Sequence, residues 1–533
     1  MRDTGPPAWT GWDAFLDGVG RDALEQRALP EYLSRQRWFG GKTREIDRVR
    51  VLDSAPLADG DAIVAWVEVT YATGPADVYV LLLALAQGGE RAALATHATA
   101  PVLPVRVGEA DALICDGAFD PDVRRAVFDT IRHEQTIASR HGELAGHAGG
   151  SLHEIVATDQ AAADSRLSSA EQSNTSIRYG SRLMLKVFRR PVEGPNPERE
   201  ITEFLSDEVH FSGVAPFAGS LEYRRREREP MTVAMLQAYV ANVGDAWQWT
   251  LQHIGSHLQA LDTKPVGDAS DRSLVQEWLD GVVSSDAEAA LGPYLGAVEL
   301  LGRRTAQLHA ALAQRSDRPA FAPEALGAPE LEALAAQLAA SVTSDLEALD
   351  RHLARVPDAC RGQARDVLAR RQAIGAVVDA VRSIDAPGVR TRIHGDYHLG
   401  QVLRTQDDFV IVDFEGEPAR TLDERRAKHS PVKDVAGMLR SLCYAAESAR
   451  RAGAGSAAAT RTWQRAAGAQ FLRAYRETIR RAALVPAATP AFGALLEAYL
   501  LDKALYELRY ELDNRPDWVG IPLTGILEMS ALA

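Results

Sequence analysis

The 533-residue chain is 46% hydrophobic and 25% charged, the mixture of a folded protein with a sizeable core and a length of roughly two to four domains. Its 59 Lys and Arg against 73 Asp and Glu leave a net charge of −14, which, with no basic block, excludes broad nucleic-acid binding and attraction to anionic membrane surfaces. Cys115, Cys360 and Cys443 are too few and too scattered for a disulfide framework or a Cys-rich zinc site.

In chain order, the polar start with Asp3 and early prolines shows no signal peptide, so the expected location is cytoplasmic. Asp22 to Trp38 carries an apolar stripe at helical spacing and ends in Gly40-Gly41, a helix followed by a stop. Ala62 to Tyr71 and Val78 to Ala86 read as strands around the turn residues Gly74-Pro75. The second of these is the longest apolar run near the start and is too short to cross a bilayer. A helix is predicted over Pro121 to Ser139, before a Gly-rich stretch from Gly146 to Ser151.

A β-rich block begins near Leu152. Ser176 to Tyr179 and Arg182 to Phe188 form a predicted hairpin turning at Gly180-Ser181. Asn196 to Ser206 reads as a helix, and Ala215 to Tyr223 and Thr232 to Val240 read as strands. From Asp245 onward the chain is Ala-rich and helical, with Leu and Arg recurring at helical intervals. One island, Arg390 to Glu417, breaks the pattern with two short β-like runs around a polar loop. The expected organisation is a small N-terminal block over 1–110, a β-rich lobe over 111–240 and a helical lobe over 241–533.

Gly41-Lys42-Thr43 looks like the end of a phosphate-binding P-loop. The motif needs a glycine where this chain has Gln36, and it must follow a strand rather than a helix. A surface turn is the better reading. The island carries the stronger signal: His394-Gly395-Asp396-Tyr397-His398-Leu399-Gly400-Gln401, then Ile411-Val412-Asp413-Phe414-Glu415. A carboxylate on a tight loop precedes a neutral amide, and further carboxylates follow at the end of an apolar run. Phosphoryl transfer needs this set, one acid to orient the attacking hydroxyl and an amide with further acids to hold magnesium. A zinc site on His394 and His398 is not expected, because Gly395-Asp396 favours a loop and no metalloprotease glutamate lies between the histidines.

A kinase also needs a cation on the nucleotide's phosphates. Lys186 lies within the apolar run Leu183 to Phe188, where its charge calls for an acidic partner. Glu200, on the helix that follows, is the expected one; the bland reading is a lysine on an exposed edge strand. Glu171 to Ser176, including Ser173, Asn174 and Thr175, is a polar turn able to donate to phosphate. Gln237 to Val240, with Gln237, Tyr239 and Val240 as adenine contacts, closes the β-rich block where a kinase holds the base.

These motifs, together with Ser430-Pro431-Val432-Lys433-Asp434, Arg35 to Lys42, Asn196-Pro197 and the terminal Asn514-Arg515-Pro516-Asp517-Trp518, closely resemble the maltokinases. That family is related to the aminoglycoside phosphotransferases and, more distantly, to eukaryotic-like protein kinases. The resemblance runs from about residue 30 to the end of the chain. It implies an α+β, bilobal protein-kinase-like fold with an N-terminal cap subdomain, a β-rich intermediate lobe and a mainly helical C-terminal lobe. It also implies transfer of the ATP γ-phosphoryl group to the anomeric hydroxyl of maltose, giving maltose 1-phosphate for α-glucan synthesis.

By the same resemblance Asp396 is the catalytic base, Lys186 and Glu200 position phosphate, and Gln401, Asp413 and Glu415 hold Mg2+. Association with a trehalose synthase is implied as well, since relatives are often fused to one. Candidate sugar contacts are His398, Arg440, Tyr444, Tyr506, Arg509, Glu511, Asn514 and Arg515; several of these could equally form a solvated face or a helix cap. Alternative acceptors are glucosamine and aminoglycosides. A catalytically silent sugar-binding module is the remaining alternative, although Lys186, Asp396 and Asp413 are all retained.

Overall fold

The computed structural model describes residues 6–156, 164–168, 173–263 and 272–529. The chain divides into two units, Met1–Val240 and Ala241–Ala533. In the first, β1 (Ile46–Leu57), β2 (Ala62–Tyr71), β3 (Asp77–Gln87), β4 (Pro101–Val107) and β5 (Ala110–Asp116) form a five-stranded antiparallel sheet in the order β1-β2-β3-β5-β4. The expected boundary at residue 110 falls at the first residue of β5. β4 carries two prolines and is an edge strand, where a missing N–H costs no ladder bond. The apolar pattern by itself does not mark β1, β4 or β5.

Residues alternate between the two faces of this sheet, as the pleat requires. Val64 and Trp66 face one core, while Ile63, Ala65 and Val67 face another. Both faces are therefore covered, which is why β2 reads as an unbroken apolar run. On one side Leu24, Leu29, Tyr32 and Leu33 of the N-terminal helical stretch complete the core. On the other side the sheet shares a core with the helix Pro121–Arg132, through Phe128 and Ile131, and with a second sheet. Trp66 stacks on Tyr223 of that second sheet at 3.8 Å between centroids, and the Tyr223 hydroxyl donates to the buried Asp53 of β1. Burying a large apolar side chain of this kind contributes about 1.5–3 kcal/mol relative to exposure.

The second sheet has seven strands: β6 (Thr136–Ala138), β7 (Gly142–Ala148), β8 (Ser165–Leu167), β9 (Thr175–Tyr179), β10 (Leu183–Val187), β11 (Phe217–Arg225) and β12 (Met231–Ala238). Their order is β6-β7-β11-β12-β10-β9-β8. The β9–β10 hairpin falls where the turn residues place it, with Lys186 opposite Ser176 on one side and Met235 on the other. The expected helix from Pro121 stops at Arg132, and the chain then turns into β6.

Residues Ala241–Ala533 are mostly helical. The longest helices are Pro293–Leu312, Ala328–Arg351, Val432–Arg451, Ala457–Ile479 and Thr489–Asn514. Ser456 caps one of them by accepting the Ala459 N–H, the role for which serine is favoured at helix starts. Within the helices lies a short hairpin, Val402–Arg404 with Phe409–Ile411, which is the β-like part of the island. Among the described residues no helix is long and apolar enough to cross a membrane.

Two histidines of this unit are held neutral. Burial pushes His257 down from 6.5 to about 4, and its Nδ1 accepts from Trp463 Nε1 at 3.4 Å. Burial likewise pushes His429 down from 6.5 to about 3, with Lys433 adding to the shift. An unfolded chain takes up these protons below about pH 6.5 whereas the folded chain does not, so stability falls as pH drops through that window. Thermal melts from pH 7 to pH 4 are expected to show a falling Tm, and His429→Gln is expected to flatten the slope. An unchanged slope would mean that His429 is not held neutral.

Candidate active site

The polar loop of the island is held from below by one carboxylate. Asp434, in the first turn of Val432–Arg451, accepts the backbone N–H groups of His394 at 2.8 Å and Gly395 at 3.0 Å. It also accepts His309 Nε2 at 3.1 Å, and His309 Nδ1 in turn meets the Tyr475 hydroxyl at 2.9 Å. Burial alone would raise the Asp434 carboxyl, but the His309 contact and the loop N–H groups hold it below the usual carboxylate range. Close approach of helix and loop requires Gly437, since a Cβ there would lie 2.5 Å from the Tyr397 carbonyl oxygen.

His394 ties the two halves of the motif together. Its Nε2 meets the Val412 carbonyl at 3.0 Å and its Nδ1 accepts the Asp396 N–H at 3.4 Å. His398 Nδ1 accepts the Gly400 N–H at 3.0 Å, which leaves the proton on Nε2, 4.0 Å from Asp396 Oδ2. Both rings thus serve the loop backbone, and burial keeps His398 below its ordinary pKa. Asp396 is only half-buried, and its Oδ1 lies 3.4 Å from Lys503 Nζ. Burial would pull the Lys503 ammonium down, but Asp396, Glu417 and Glu507 around it push it up. Asp396 therefore has a fixed cationic neighbour, on Thr489–Asn514, more than a hundred residues further along the chain.

Register brings the acids of the second half to the same place. Val402 pairs with Ile411, and the Val412 N–H donates to the Gln401 carbonyl at 3.0 Å, so Gln401 is the backbone neighbour of the strand end carrying Asp413. Asp413 sits at φ 67°, a left-handed conformation that an aspartate tolerates at a cost of about 1–3 kcal/mol. That turn lets Asp413 and Glu415 each bring a carboxylate oxygen within 4.8 Å of the other. Hard oxygen donors of this type fit magnesium, which prefers carboxylates and water to nitrogen or sulfur.

In the first unit, Lys186 and its acid are both buried, and Nζ lies 2.7 Å from Glu198 Oε2. Glu198 is thus an acid held against this lysine, and Glu200, the partner expected from sequence, lies two residues further along the same helix. The helix Pro197–Glu203 buries Pro197, Glu198, Ile201 and Thr202, an i, i+3, i+4 stripe. Glu200 lies two residues from Glu198, about 200° round the helix, and so belongs to the other face. Thr175 Oγ1 accepts Arg189 Nε at 2.7 Å, and Asn174 Nδ2 meets Ser173 Oγ at 3.4 Å. Glu171 and Gln172 lie outside the described residues. At the end of β12, the Tyr239 N–H is already donated to the Arg182 carbonyl at 2.7 Å. That amide is therefore not a free adenine donor; Gln237 and Val240 are half-exposed.

Beside Asp396, a cavity of about 460 Å³ is walled by Trp247, Tyr444, Tyr506, Tyr510 and Trp518, with His398, Glu511 and Arg515 among its polar groups. It shares Lys503 and Tyr506 with the small cavity that Asp396 itself lines. Its glutamates are already committed. Glu507 meets the buried Arg440 at 2.6 Å, and Glu511 accepts Tyr444 at 2.8 Å and Arg515 through two bonds of 2.7 and 2.9 Å. Asp245, at the rim, caps its helix through the Gln248 N–H at 2.7 Å.

Residues 32–120 match the family described as the maltokinase N-terminal cap domain, and residues 250–483 match the phosphotransferase enzyme family. The chain thus carries a maltokinase-type cap followed by a region of the phosphotransferase enzyme family. It is 29% identical over 365 residues to a glucosamine kinase of Streptacidiphilus jiangxiensis, covering 67% of this chain and 72% of that one. It is 26% identical over 439 residues to a glucosamine kinase of Mycolicibacterium smegmatis, covering 82% and 94%. Among solved structures, a glucosamine kinase in complex with glucosamine, ADP and inorganic phosphate shares the fold. The TM-score is 0.59 at 20% identity, over 89% of this chain and 92% of that one.

For this phosphotransferase, the sequence-derived residues sort by where they point. His398, Tyr444, Tyr506, Glu511 and Arg515 line the larger cavity. Arg509 borders the small one and meets Asp345 at 3.3 Å. Arg440 and Asn514 line neither: Arg440 is the buried counter-ion of Glu507, and Asn514 Nδ2 donates to the Tyr510 carbonyl at 2.9 Å as a helix-end bond. Lys503, Glu507, Trp247 and Trp518 were not singled out from sequence as site residues. Lys503 lies three residues before Tyr506, on the same helix face, and that spacing was the available signal.

Proposed function

We propose that the protein is an ATP- and magnesium-dependent sugar kinase whose preferred acceptor is maltose, phosphorylated at the anomeric hydroxyl. The observation that carries this reading is the aromatic cavity beside Asp396, whose glutamates are neutralised from within by Arg440 and Arg515. Aromatic walls with a few hydroxyl and charged groups suit the apolar faces and hydroxyl rims of a pyranose. The volume, about 460 Å³, exceeds what one such ring fills. A cavity without an uncommitted glutamate gives little to the ammonium of an aminosugar and less to a polycationic aminoglycoside.

In this reading Asp396 accepts the hydrogen bond of the attacking hydroxyl and orients it for in-line displacement, while Lys503 fixes the carboxylate. Lys186, held by Glu198, balances phosphate charge. Gln401, Asp413 and Glu415 are the residues that would hold magnesium, which when bound neutralises the polyphosphate. The maltokinase resemblance adds a trehalose synthase as the maltose source. Glucosamine is the second reading, favoured by the names of the two curated relatives.

The test is coupled ADP release with ATP and magnesium over maltose, glucose, glucosamine and an aminoglycoside, with the product's phosphate position read by NMR. Maltose is expected to give the highest kcat/KM and a 1-phosphate. Turnover confined to glucosamine would overturn the maltose assignment and leave the catalytic residues in place. Turnover of none would overturn the sugar-kinase reading.

A further inference from the structure

Trp518 borders two spaces. One is the cavity beside Asp396, and the other is a second cavity of about 860 Å³ in the same helical unit. Along Val432–Arg451, the residues Gly437, Ser441, Tyr444, Ser448 and Arg451 are spaced by four, three, four and three, which places them on one stripe. The first three line the cavity beside Asp396 and the last two line the second cavity. The two spaces are therefore successive along one helix face, and Trp518 is the residue common to both.

Its indole is fixed from each side by a guanidinium. Arg515, from the first cavity, lies 5.3 Å from the ring, and Arg451, from the second, lies 5.4 Å from it. Arg515 is itself 5.4 Å from the Tyr510 ring and held by Glu511. The result is a ladder of alternating ring and cation, Tyr510, Arg515, Trp518, Arg451, in which each cation faces an aromatic surface. The backbone adds a further tie, since the Trp518 N–H donates to the Arg515 carbonyl at 2.8 Å. Beyond this wall, Gln363, Glu447, Ser448, Asp517 and Thr524 offer mixed donors and acceptors, the chemistry that recognises a neutral polyol.

We propose that Trp518 is the end wall that sets acceptor length, and that removing it joins the two cavities and admits an oligosaccharide one or more units longer. The inference rests on the sugar-kinase reading and names the residue that limits its substrate class. Trp518→Ala and Trp518→Phe should be compared with the wild type by kcat/KM on maltotriose relative to maltose. The same ratio should be taken for the glucosamine dimer relative to glucosamine, so that the result does not depend on which sugar is preferred.

The longer-to-shorter ratio is expected to rise about tenfold or more in Trp518→Ala and to stay near wild type in Trp518→Phe. Should Trp518→Ala fail to fold, Arg451→Ala, on an exposed side chain, is expected to shift the ratio the same way by a smaller factor. Sugar turnover with an unchanged ratio, or a wild-type ratio already near one, overturns the wall alone. No turnover and no calorimetric binding of any sugar by the wild type overturns the kinase reading and the wall with it.

Discussion

Asp396→Asn is expected to lower kcat by about 10²–10⁴-fold while leaving nucleotide affinity close to wild type. The substitution keeps the shape of the side chain, and the loop around it is held by groups that do not involve the carboxylate: Asp434 on two backbone N–H groups, and His394 on Val412 and on the Asp396 N–H. What it removes is the charge facing Lys503 at 3.4 Å and, in the proposed mechanism, the acceptor for the attacking hydroxyl's proton. Lys503→Met should lower kcat in the same direction by a smaller factor, because the base remains and only its orientation is lost. Nucleotide binding followed by titration calorimetry, beside ADP release, separates these effects. Loss of ATP binding with residual turnover would contradict the assignment of Asp396.

Glu198→Ala is expected to be the most damaging single change in the first unit. It leaves the Lys186 ammonium buried without the carboxylate that lies 2.7 Å away, and breaking a buried pair from one side costs about 3–5 kcal/mol. Urea unfolding should show that loss, and KM for ATP should rise in whatever folded protein remains. Glu200→Ala, at a half-exposed position of the same helix, is expected to cost less than Glu198→Ala. Equal effects of the two substitutions would mean that the stripe through Glu198 and Ile201 is not the buried one.

The Lys186–Glu198 pair shows what the chain alone leaves open. That a lysine inside Leu183–Phe188 needs an acid follows from the cost of burying a charge, and that the acid comes from the helix beginning at Asn196-Pro197 follows from order along the chain. Choosing between Glu198 and Glu200 requires knowing how the helix is rotated about its axis, and that is set by the contacts of Ile201 and Thr202. The terminal polar cluster poses the same difficulty on a larger scale. Tyr506, Glu511 and Arg515 reach the cavity, whereas Asn514, one residue from Arg515, closes its own helix end. Arg440 shares its helix with Tyr444 and is nonetheless spent on Glu507.

The sequence by itself determined the order of cap, sheet lobe and helical region, the strands β2 and β3, the β9–β10 hairpin and the β-like island that carries Asp396, Gln401, Asp413 and Glu415. These rest on local periodicity, on turn chemistry and on spacings within a few tens of residues, all of which are carried by neighbouring positions in the chain. Tertiary structure alone decided that Lys503 stands against Asp396, that Asp434 and His309 hold the His394–Asp396 loop, that the cavity glutamates are neutralised by arginines, and that Trp518 borders two cavities. Apart from the Glu511–Arg515 pair, four residues apart, each of those is a meeting of groups from elements separated in sequence. Such meetings depend on helix rotation and packing depth, quantities that no local pattern encodes.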